Sequence, residues 1–237
     1  MLLGVATVAV VIIGFVLLVP RGGPAQSNST TTPSGVTSTT SAPSSKPIIL
    51  YINQGNGVVN QSNFGALLAF ASSQGFNTLF FQVYRQGDLL FTPSQLTSFV
   101  AQAHDSGLKI FFSLYITDPS QQLPTSIYPL GEDGVSLDMS SLTVSSQQSF
   151  YSDLSDAYGG TKAITTDDMT LPLSPNLLVL ETYGTQYQQF IHPGIVAGVE
   201  AVQATSKSDY QQQFQYALAN SDGVMVFDYA GLLKTGY

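Results

Sequence analysis

The chain contains no cysteine, and only 9% of its 237 residues are charged. Without cysteine it can form neither a disulfide nor a thiolate metal site. Seven Lys and Arg residues stand against fifteen Asp and Glu, which gives a net charge of −8 and no basic patch to displace the counterions of a nucleic acid. We therefore expect no nucleic-acid partner. Polarity comes instead from Ser, Thr, Gln, Asn and Tyr, which suit contacts with sugars.

Several signatures of catalysis and cofactor binding are also missing. No Gly-x-Gly-x-x-Gly follows the first predicted strand and no Gly-Lys-Ser phosphate loop occurs, so nucleotide binding lacks its fingerprint. No Gly-x-Ser-x-Gly elbow occurs, so a Ser-His-Asp hydrolase is not indicated. His104 and His192 do not have metal-ligand spacing and are interpreted as structural. We predict no metal and no cofactor.

An uninterrupted apolar run lies near the start of the sequence. Residues 2–19 are about long enough to cross a bilayer as a helix, and Pro20 and Arg21 end the run. The run is longer than the apolar part of most signal peptides, and no basic segment precedes it. Residues 1–20 are therefore predicted to be a transmembrane anchor that binds the membrane, with a cleaved signal peptide and secretion as the alternative.

The next segment, residues 21–47, is rich in Ser, Thr, Pro, Gly and Asn. It cannot bury enough apolar surface to offset the entropy lost on ordering, so we predict a disordered stalk. Asn28 and Asn60 each begin an Asn-x-Ser/Thr sequon and are candidate glycosylation sites. Together these features favour a folded domain on the extracellular side of the cell membrane, although Arg21 alone favours the opposite orientation.

From residue 48 onward, short apolar runs alternate with segments of helical spacing. The predicted strands are residues 48–52, 78–84, 109–115, 164–169, 195–201 and 223–229. About six βα units imply a parallel sheet with right-handed crossovers. Residues 48–237 are therefore predicted to form a small or incomplete (β/α) barrel, and an open doubly wound sheet is the alternative.

Two segments of this domain fit the alternation less well. Residues 118–143 contain three prolines and two glycines and are interpreted as a long irregular connection, which is often functional. Residues 177–191 are predicted to be helical because Ser174 and Pro175 form a helix start signal. The run at 177–180 could alternatively be a strand.

Four segments of this domain resemble the TIM-barrel glycoside-hydrolase-like superfamily. Residues 49–53 resemble a first barrel strand, 77–83 a second, 103–110 a join from helix through glycine to strand, and 223–229 a last strand. The resemblance implies a barrel that acts on or binds carbohydrate at the C-terminal ends of its strands. The chitinase-type Asp-x-x-Asp-x-Asp-x-Glu strand and the Asn-Glu pair common on fourth strands are absent. A glycoside hydrolase and a non-catalytic protein therefore stay open as alternatives.

Acidic and aromatic side chains fall at the ends of the predicted strands, which converge on one face in parallel α/β folds. Glycoside hydrolysis needs two carboxyl groups that flank the bond, and we predict catalytic roles for Asp168, Glu200 and Asp228. The predicted substrate-binding residues are Asp167, Arg85, Tyr84, Tyr115 and Tyr229. Arg85 could pair with one of the acids or bind an acidic sugar. The alternatives are that the acids cap helices and that the tyrosines pack.

Two further functions are compatible with these observations. One is a cell-envelope protein that keeps the barrel as a structural or sugar-binding module. The other is a filament or surface-layer subunit held by the apolar N-terminal segment.

Overall fold

The computed structural model describes residues 45–168, 170–184, 187–201, 204 and 206–236, with the backbone alone at Asn56. The predicted anchor, the predicted stalk up to residue 44 and the Asn28 sequon lie outside these residues. Within them, no helix has both the length and the apolar character needed to span a membrane. The last two residues of the predicted stalk contact the folded domain: Lys46 Nζ donates to Ser221 O at 2.7 Å, and Pro47 O accepts from Val224 N at 3.0 Å.

Eight parallel strands and one short antiparallel strand make up the sheet. They are β1 (Ile48–Ile52), β2 (Thr78–Arg85), β3 (Asp88–Leu89), β4 (Lys109–Tyr115), β5 (Gly134–Asp138), β6 (Thr161–Thr166), β7 (Leu177–Glu181), β8 (Val196–Glu200) and β9 (Gly223–Phe227). The spatial order is β1-β9-β8-β7-β6-β5-β4-β2-β3, and β1 also pairs with β2. The parallel sheet therefore closes into a barrel of TIM type, and β3 extends the end of β2 as a hairpin.

In the part of the chain that the structure describes, five α-helices pack outside the barrel. They are α1 (Phe64–Ser73), α2 (Pro93–Asp105), α3 (Val144–Ala157), α4 (Lys207–Asn220) and α5 (Tyr229–Lys234). Helix α2 begins as predicted, with Thr92 and Gln95 forming a capping box around Pro93. In the described residues, α-helices follow β1, β3, β5, β8 and β9, whereas the connections after β4, β6 and β7 contain only loops and short 3₁₀ turns.

The structure corrects two interpretations of the sequence. Strand β5 lies inside the stretch 118–143 that was interpreted as irregular, and β7 occupies residues that were predicted to start a helix. In β5, polar Ser136 and Asp138 alternate with apolar neighbours, so the segment lacks the continuous apolar run of a typical parallel strand. In β7, the apolar run pairs in parallel with both β6 and β8. The barrel thus has eight parallel strands rather than six, and the doubly wound alternative is wrong.

The barrel interior changes character along its axis. Its N-terminal part is filled by apolar side chains, namely Ile49, Tyr51, Phe80, Phe111, Ala163, Val179, Val196 and Met225. Towards the C-terminal ends of the strands, several buried side chains are polar, namely Gln82, Ser113, Ser136, Asp138 and Thr165. Polar side chains enclosed in a barrel require hydrogen-bond partners, so this half of the interior depends on a polar network.

Candidate functional site

Three carboxyl groups face the barrel interior at the C-terminal ends of β5, β7 and β8. Asp138 ends β5, and its carboxylate meets the inward-facing Tyr51. Val179 and Val196 also line the interior. Because side chains alternate along a strand, Glu181 on β7 and Glu200 on β8 project to the same side as those valines.

The electrostatic environment of Glu181 favours its protonated form. Burial raises the pKa of Glu181 to about 8, and the negative charges of Asp138, Asp167 and Glu200 act in the same direction. A carboxyl group with this pKa holds its proton at neutral pH. Glu181 therefore has the property that a general acid needs.

Asp138 lies in a different environment. Its side chain is only 4% exposed, and burial raises its pKa to about 6. The hydrogen bond from Tyr51 and the positive charge of Arg85 oppose this rise because they stabilise the carboxylate. At neutral pH Asp138 is therefore mostly ionised while Glu181 is mostly protonated.

A hydrogen-bond network around Tyr51 holds Asp138 in place. Tyr51 is 1% exposed, and its hydroxyl donates to Asp138 Oδ2 at 2.8 Å. The same hydroxyl accepts from Ser113 Oγ at 3.3 Å and, at the longer distance of 3.5 Å, from Gln82 Nε2. Burial and the neighbouring Asp138 raise the pKa of Tyr51 well above its usual value, so the hydroxyl keeps its proton. The network joins four strands across the barrel.

Several buried polar atoms near this network have unused hydrogen-bonding capacity. Asp138 Oδ1, Ser136 Oγ, Thr165 Oγ1 and the Tyr183 hydroxyl have no hydrogen-bond partner among the described residues. Such atoms are costly to bury and are suited to bind a polar ligand. The ring of Phe227 lies between those of Tyr51 and Tyr183, with centroid distances of 5.0 and 6.1 Å, and adds an aromatic wall.

The three predicted catalytic acids have different surroundings. Glu200 interacts with Glu181 and belongs to the acidic cluster. Asp168 lies beyond the end of β6, where its Oδ1 accepts two 2.7 Å hydrogen bonds from Thr170, and these lower its pKa. Asp228 caps α5 by accepting a 2.8 Å hydrogen bond from Gly231 N. Catalytic roles for Asp168 and Asp228 stay predictions, and the capping contact is the alternative considered for Asp228.

The predicted substrate-binding residues also separate into two groups. Asp167 is exposed and close enough to Glu181 to raise its pKa, and Arg85 lies over the ring of Tyr115 at 5.1 Å from the centroid. In contrast, Tyr84 donates to Gln122 O at 2.8 Å, and Tyr229 packs edge-on against Phe70 at 5.2 Å. Tyr84 and Tyr229 both make contacts of the outer layer.

The Asn60 sequon lies in an exposed loop before α1, where Asn60 Oδ1 accepts from Ser62 N at 2.9 Å. Glycosylation there stays a prediction.

Sequence reasoning missed Asp138 and Glu181, because the strands that carry them were not recognised. The alternation in Val135-Ser136-Leu137-Asp138 was the available signal for β5. For β7 the signal was a short apolar run that ends in a single acid. Within the described residues, no group of three His, Cys, Asp or Glu side chains is arranged to hold a metal ion.

Comparisons with known proteins support the fold. No family model and no curated protein match the sequence. Tryptophan synthase from M. tuberculosis is 14% identical with a TM-score of 0.50, and the match covers 76% of this chain and 82% of that one. The mannanase catalytic domain from Streptomyces sp. SirexAA-E is 10% identical with a TM-score of 0.50, covering 78% and 75%. An HpcH/HpaI aldolase from Desulfitobacterium hafniense DCB-2 is 8% identical with a TM-score of 0.48, covering 80% and 89%.

The protein is thus a TIM-type α/β barrel with interacting carboxyl groups at the C-terminal ends of its strands. At these identities the structural likeness extends to the fold alone.

Proposed function

We propose that this barrel is a glycoside-hydrolase-like protein that acts on carbohydrate through Asp138, Glu181 and Glu200. The observation that carries the proposal is that Asp138, Glu181 and Glu200 project into one barrel interior at the C-terminal ends of their strands. Burial there raises the pKa of Glu181 to about 8 and that of Asp138 to about 6. A pair of carboxyl groups, one protonated and one ionised, is what glycosidic bond cleavage requires.

In the proposed reaction, Glu181 donates its proton to the glycosidic oxygen as the carbon–oxygen bond breaks. Asp138, oriented by Tyr51, stabilises the positive charge that develops on the sugar. Asp138 or Glu200 then acts in one of two ways. It either takes a proton from the water molecule that attacks the sugar, or it first forms a covalent sugar ester that water opens. The anomer released first, followed by NMR, distinguishes inversion from retention.

The same surroundings support a sugar rather than an apolar substrate. Buried hydroxyl and carboxyl groups with unused hydrogen-bonding capacity lie beside the aromatic wall of Phe227. A sugar ring presents hydroxyl groups at its edge and a flatter C–H surface on its face, and this combination matches both features.

The test is a comparison of carboxamide variants on a panel of polysaccharides. We expect Glu181→Gln and Asp138→Asn to lower kcat by about 10²–10⁴-fold, while an exposed acid on α3, Asp156→Asn, leaves it unchanged. Asp168→Asn is the discriminating variant, since loss of activity there would support the prediction from sequence instead. A wild-type protein that neither cleaves nor binds any glycan would refute the proposal.

Binding without cleavage is the second candidate function. Asp138 Oδ1, Thr165 Oγ1 and the Tyr183 hydroxyl have no partner within the described part of the chain, which favours ligand binding whether or not a bond is broken. Saturable glycan binding with no release of reducing ends would select this alternative.

We also propose that residues 1–20 anchor the barrel in the cell membrane and that residues 21–47 hold it on the outside. The support is the apolar run and the Ser/Thr-rich composition that follows it. Fractionation of cells with and without externally added protease tests this location. Recovery of the full-length chain in the soluble cytoplasmic fraction would contradict it.

A further inference from the structure

Three neighbouring groups contact the guanidinium of Arg85, at the end of β2, and fix its orientation. Its guanidinium carbon lies 5.1 Å from the centroid of the Tyr115 ring, which is a cation–π contact. Its Nη1 donates to Asn53 Oδ1 at 3.2 Å. On the third side lies Gly55, where an added Cβ would collide with the guanidinium. Glycine at this position therefore lets the loop after β1 approach the arginine closely.

Despite this fixed position, Arg85 has no ion-pair partner in the part of the chain that the structure describes, because no carboxylate oxygen there lies within 4.0 Å of it. Asp88 is opposite Arg85 in the β2–β3 hairpin, yet it is exposed and does not bridge to it. A guanidinium carries five N–H donors, and among the residues that the structure describes a single hydrogen bond, to Asn53, uses one of them. Most of its donors are thus free to bind a ligand.

The position of Arg85 connects it to the carboxyl cluster. Arg85 pairs with Tyr115 between β2 and β4, and Tyr115 pairs with Asp138 between β4 and β5, so the three residues lie at one level at the C-terminal end of the barrel. The positive charge of Arg85 also lowers the pKa of Asp138. The chain contains only seven Lys and Arg residues, so positive charge is scarce. An oriented arginine beside the site therefore favours a negatively charged ligand. A planar guanidinium with two adjacent free donors matches the two oxygens of a carboxylate.

We propose that the ligand of this barrel carries a carboxylate, as the uronic acid units of acidic polysaccharides do, and that Arg85 binds it. The inference rests on the proposed carbohydrate site and specifies its substrate class. Glu181 and the other acids would otherwise repel such a ligand, and the proton that Glu181 retains at neutral pH reduces this repulsion. A neutral sugar could accept hydrogen bonds from Arg85, but it would not pair with its positive charge as a carboxylate does.

The experiment uses matched ligands that differ only in charge. The full-length protein is titrated calorimetrically with oligogalacturonate, oligoglucuronate and oligomannuronate, and with the methyl ester of each, which keeps the ring and removes the charge. We expect the acids to bind at least tenfold more tightly than their esters. Arg85→Gln should abolish this preference without changing ester binding, and Arg85→Lys should retain only part of it because the two parallel hydrogen bonds are lost.

Asp88→Asn is the matched control, since it removes an exposed charge from the same hairpin. It should leave the preference unchanged or increase it, because it removes a competitor for Arg85. Thermal unfolding of each variant establishes that the hairpin is intact. The third arm of the experiment uses an oligosaccharide of neutral sugars that carries sulfate esters. If it binds more tightly than the uronic acid oligosaccharides, the assignment of a carboxylate ligand is wrong.

The outcomes separate this inference from the proposed function. Equal binding of acids and esters, or an equal loss of both in Arg85→Gln, overturns the inference and leaves a carbohydrate site in place. If free acetate binds in an Arg85-dependent manner while no sugar binds, Arg85 is a carboxylate site and the carbohydrate proposal fails. Absence of binding in every arm refutes both.

Discussion

Two carboxyl groups in the same interior differ in protonation because their neighbours differ. Asp138 receives a hydrogen bond from Tyr51 and lies near the positive charge of Arg85, so burial raises its pKa only to about 6. Burial combines with neighbouring negative charges to raise the pKa of Glu181 to about 8. Between about pH 6 and pH 8, Glu181 therefore keeps its proton while Asp138 is ionised, and the first two predictions depend on this asymmetry.

The first prediction concerns Glu181 and stability. Its pKa is raised in the folded protein, so the fold binds a proton that the unfolded chain releases near pH 4.5. The resulting stabilisation is complete below that pH and is lost as pH rises to about 8. Between pH 6 and 8, urea unfolding should show wild-type stability falling by up to about 1.4 kcal/mol per pH unit.

Glu181→Gln should remove most of that slope and should be more stable than wild type at pH 8, by on the order of 1–3 kcal/mol. Asp156→Asn, on the exposed face of α3, should keep the wild-type slope. An unchanged slope in Glu181→Gln would show that another group binds the proton.

The second prediction concerns the hydroxyl of Tyr51. Its 2.8 Å hydrogen bond favours the charged form of Asp138, so Tyr51→Phe should make Asp138 titrate about one pH unit higher. The carboxyl ¹³C shift of Asp138, followed by NMR against pH, measures this directly. Ser113→Ala is the control, because Ser113 contacts the tyrosine hydroxyl, and its effect should be smaller. Identical titration in wild type and Tyr51→Phe would contradict the role assigned to Tyr51.

At the scale of elements, the sequence was most informative where local signals agree. Strands β1 and β4 and the start of α2 lie where apolar runs and the Thr92–Pro93 signal predicted them. Strand β5 was not predicted because its inward-facing residues are polar, and a strand built to display polar groups has a weak apolar pattern. The same property places β5 in the candidate site, so the structure was least predictable from sequence where that site lies.

The prediction from the sequence for the residues of strand β7 was wrong for a different reason. Its five residues are compatible with either a strand or the first turn of a helix, and pairing with β6 and β8, which a local pattern cannot reveal, decides between them. Glu200 could be predicted as a site residue because it lies at the end of a strand that the sequence indicates. Glu181 could not be predicted without knowing that residues 177–181 form the neighbouring strand.

The third prediction distinguishes the two roles considered for Asp228. Its Oδ1 accepts from Gly231 N in the first turn of α5, so Asp228→Ala should lower the free energy of unfolding by about 1 kcal/mol. Asp228→Asn keeps an acceptor oxygen and should retain most of the stability and the ligand binding. If Asp228→Asn folds normally but loses turnover on a glycan that wild type cleaves, the catalytic prediction from the sequence is correct and the cap is incidental.

For the whole molecule, closure of the barrel requires its interior to be filled without collisions. Gly134, at the start of β5, faces the ring of Phe111 and the backbone oxygen of Thr161. An added Cβ would lie 2.7 Å from Thr161 O, which belongs to the neighbouring strand β6 and cannot rotate away. The apolar half of the interior thus depends on a missing side chain, while the polar half depends on the network around Tyr51.

The fourth prediction is that Gly134→Ala destabilises the protein by about 2–3 kcal/mol, because the barrel must expand locally to admit one carbon atom. Gly159→Ala is the matched control, since a Cβ there meets no atom within 4 Å, and its effect should be below about 0.5 kcal/mol. Chemical unfolding of both variants measures the difference. The double variant Gly134→Ala/Phe111→Leu replaces the phenyl ring by a smaller side chain. It should restore little stability, because the clash with Thr161 O persists. Full recovery in the double variant would instead identify the Phe111 ring as the constraint, and barrel closure would then tolerate a side chain at Gly134.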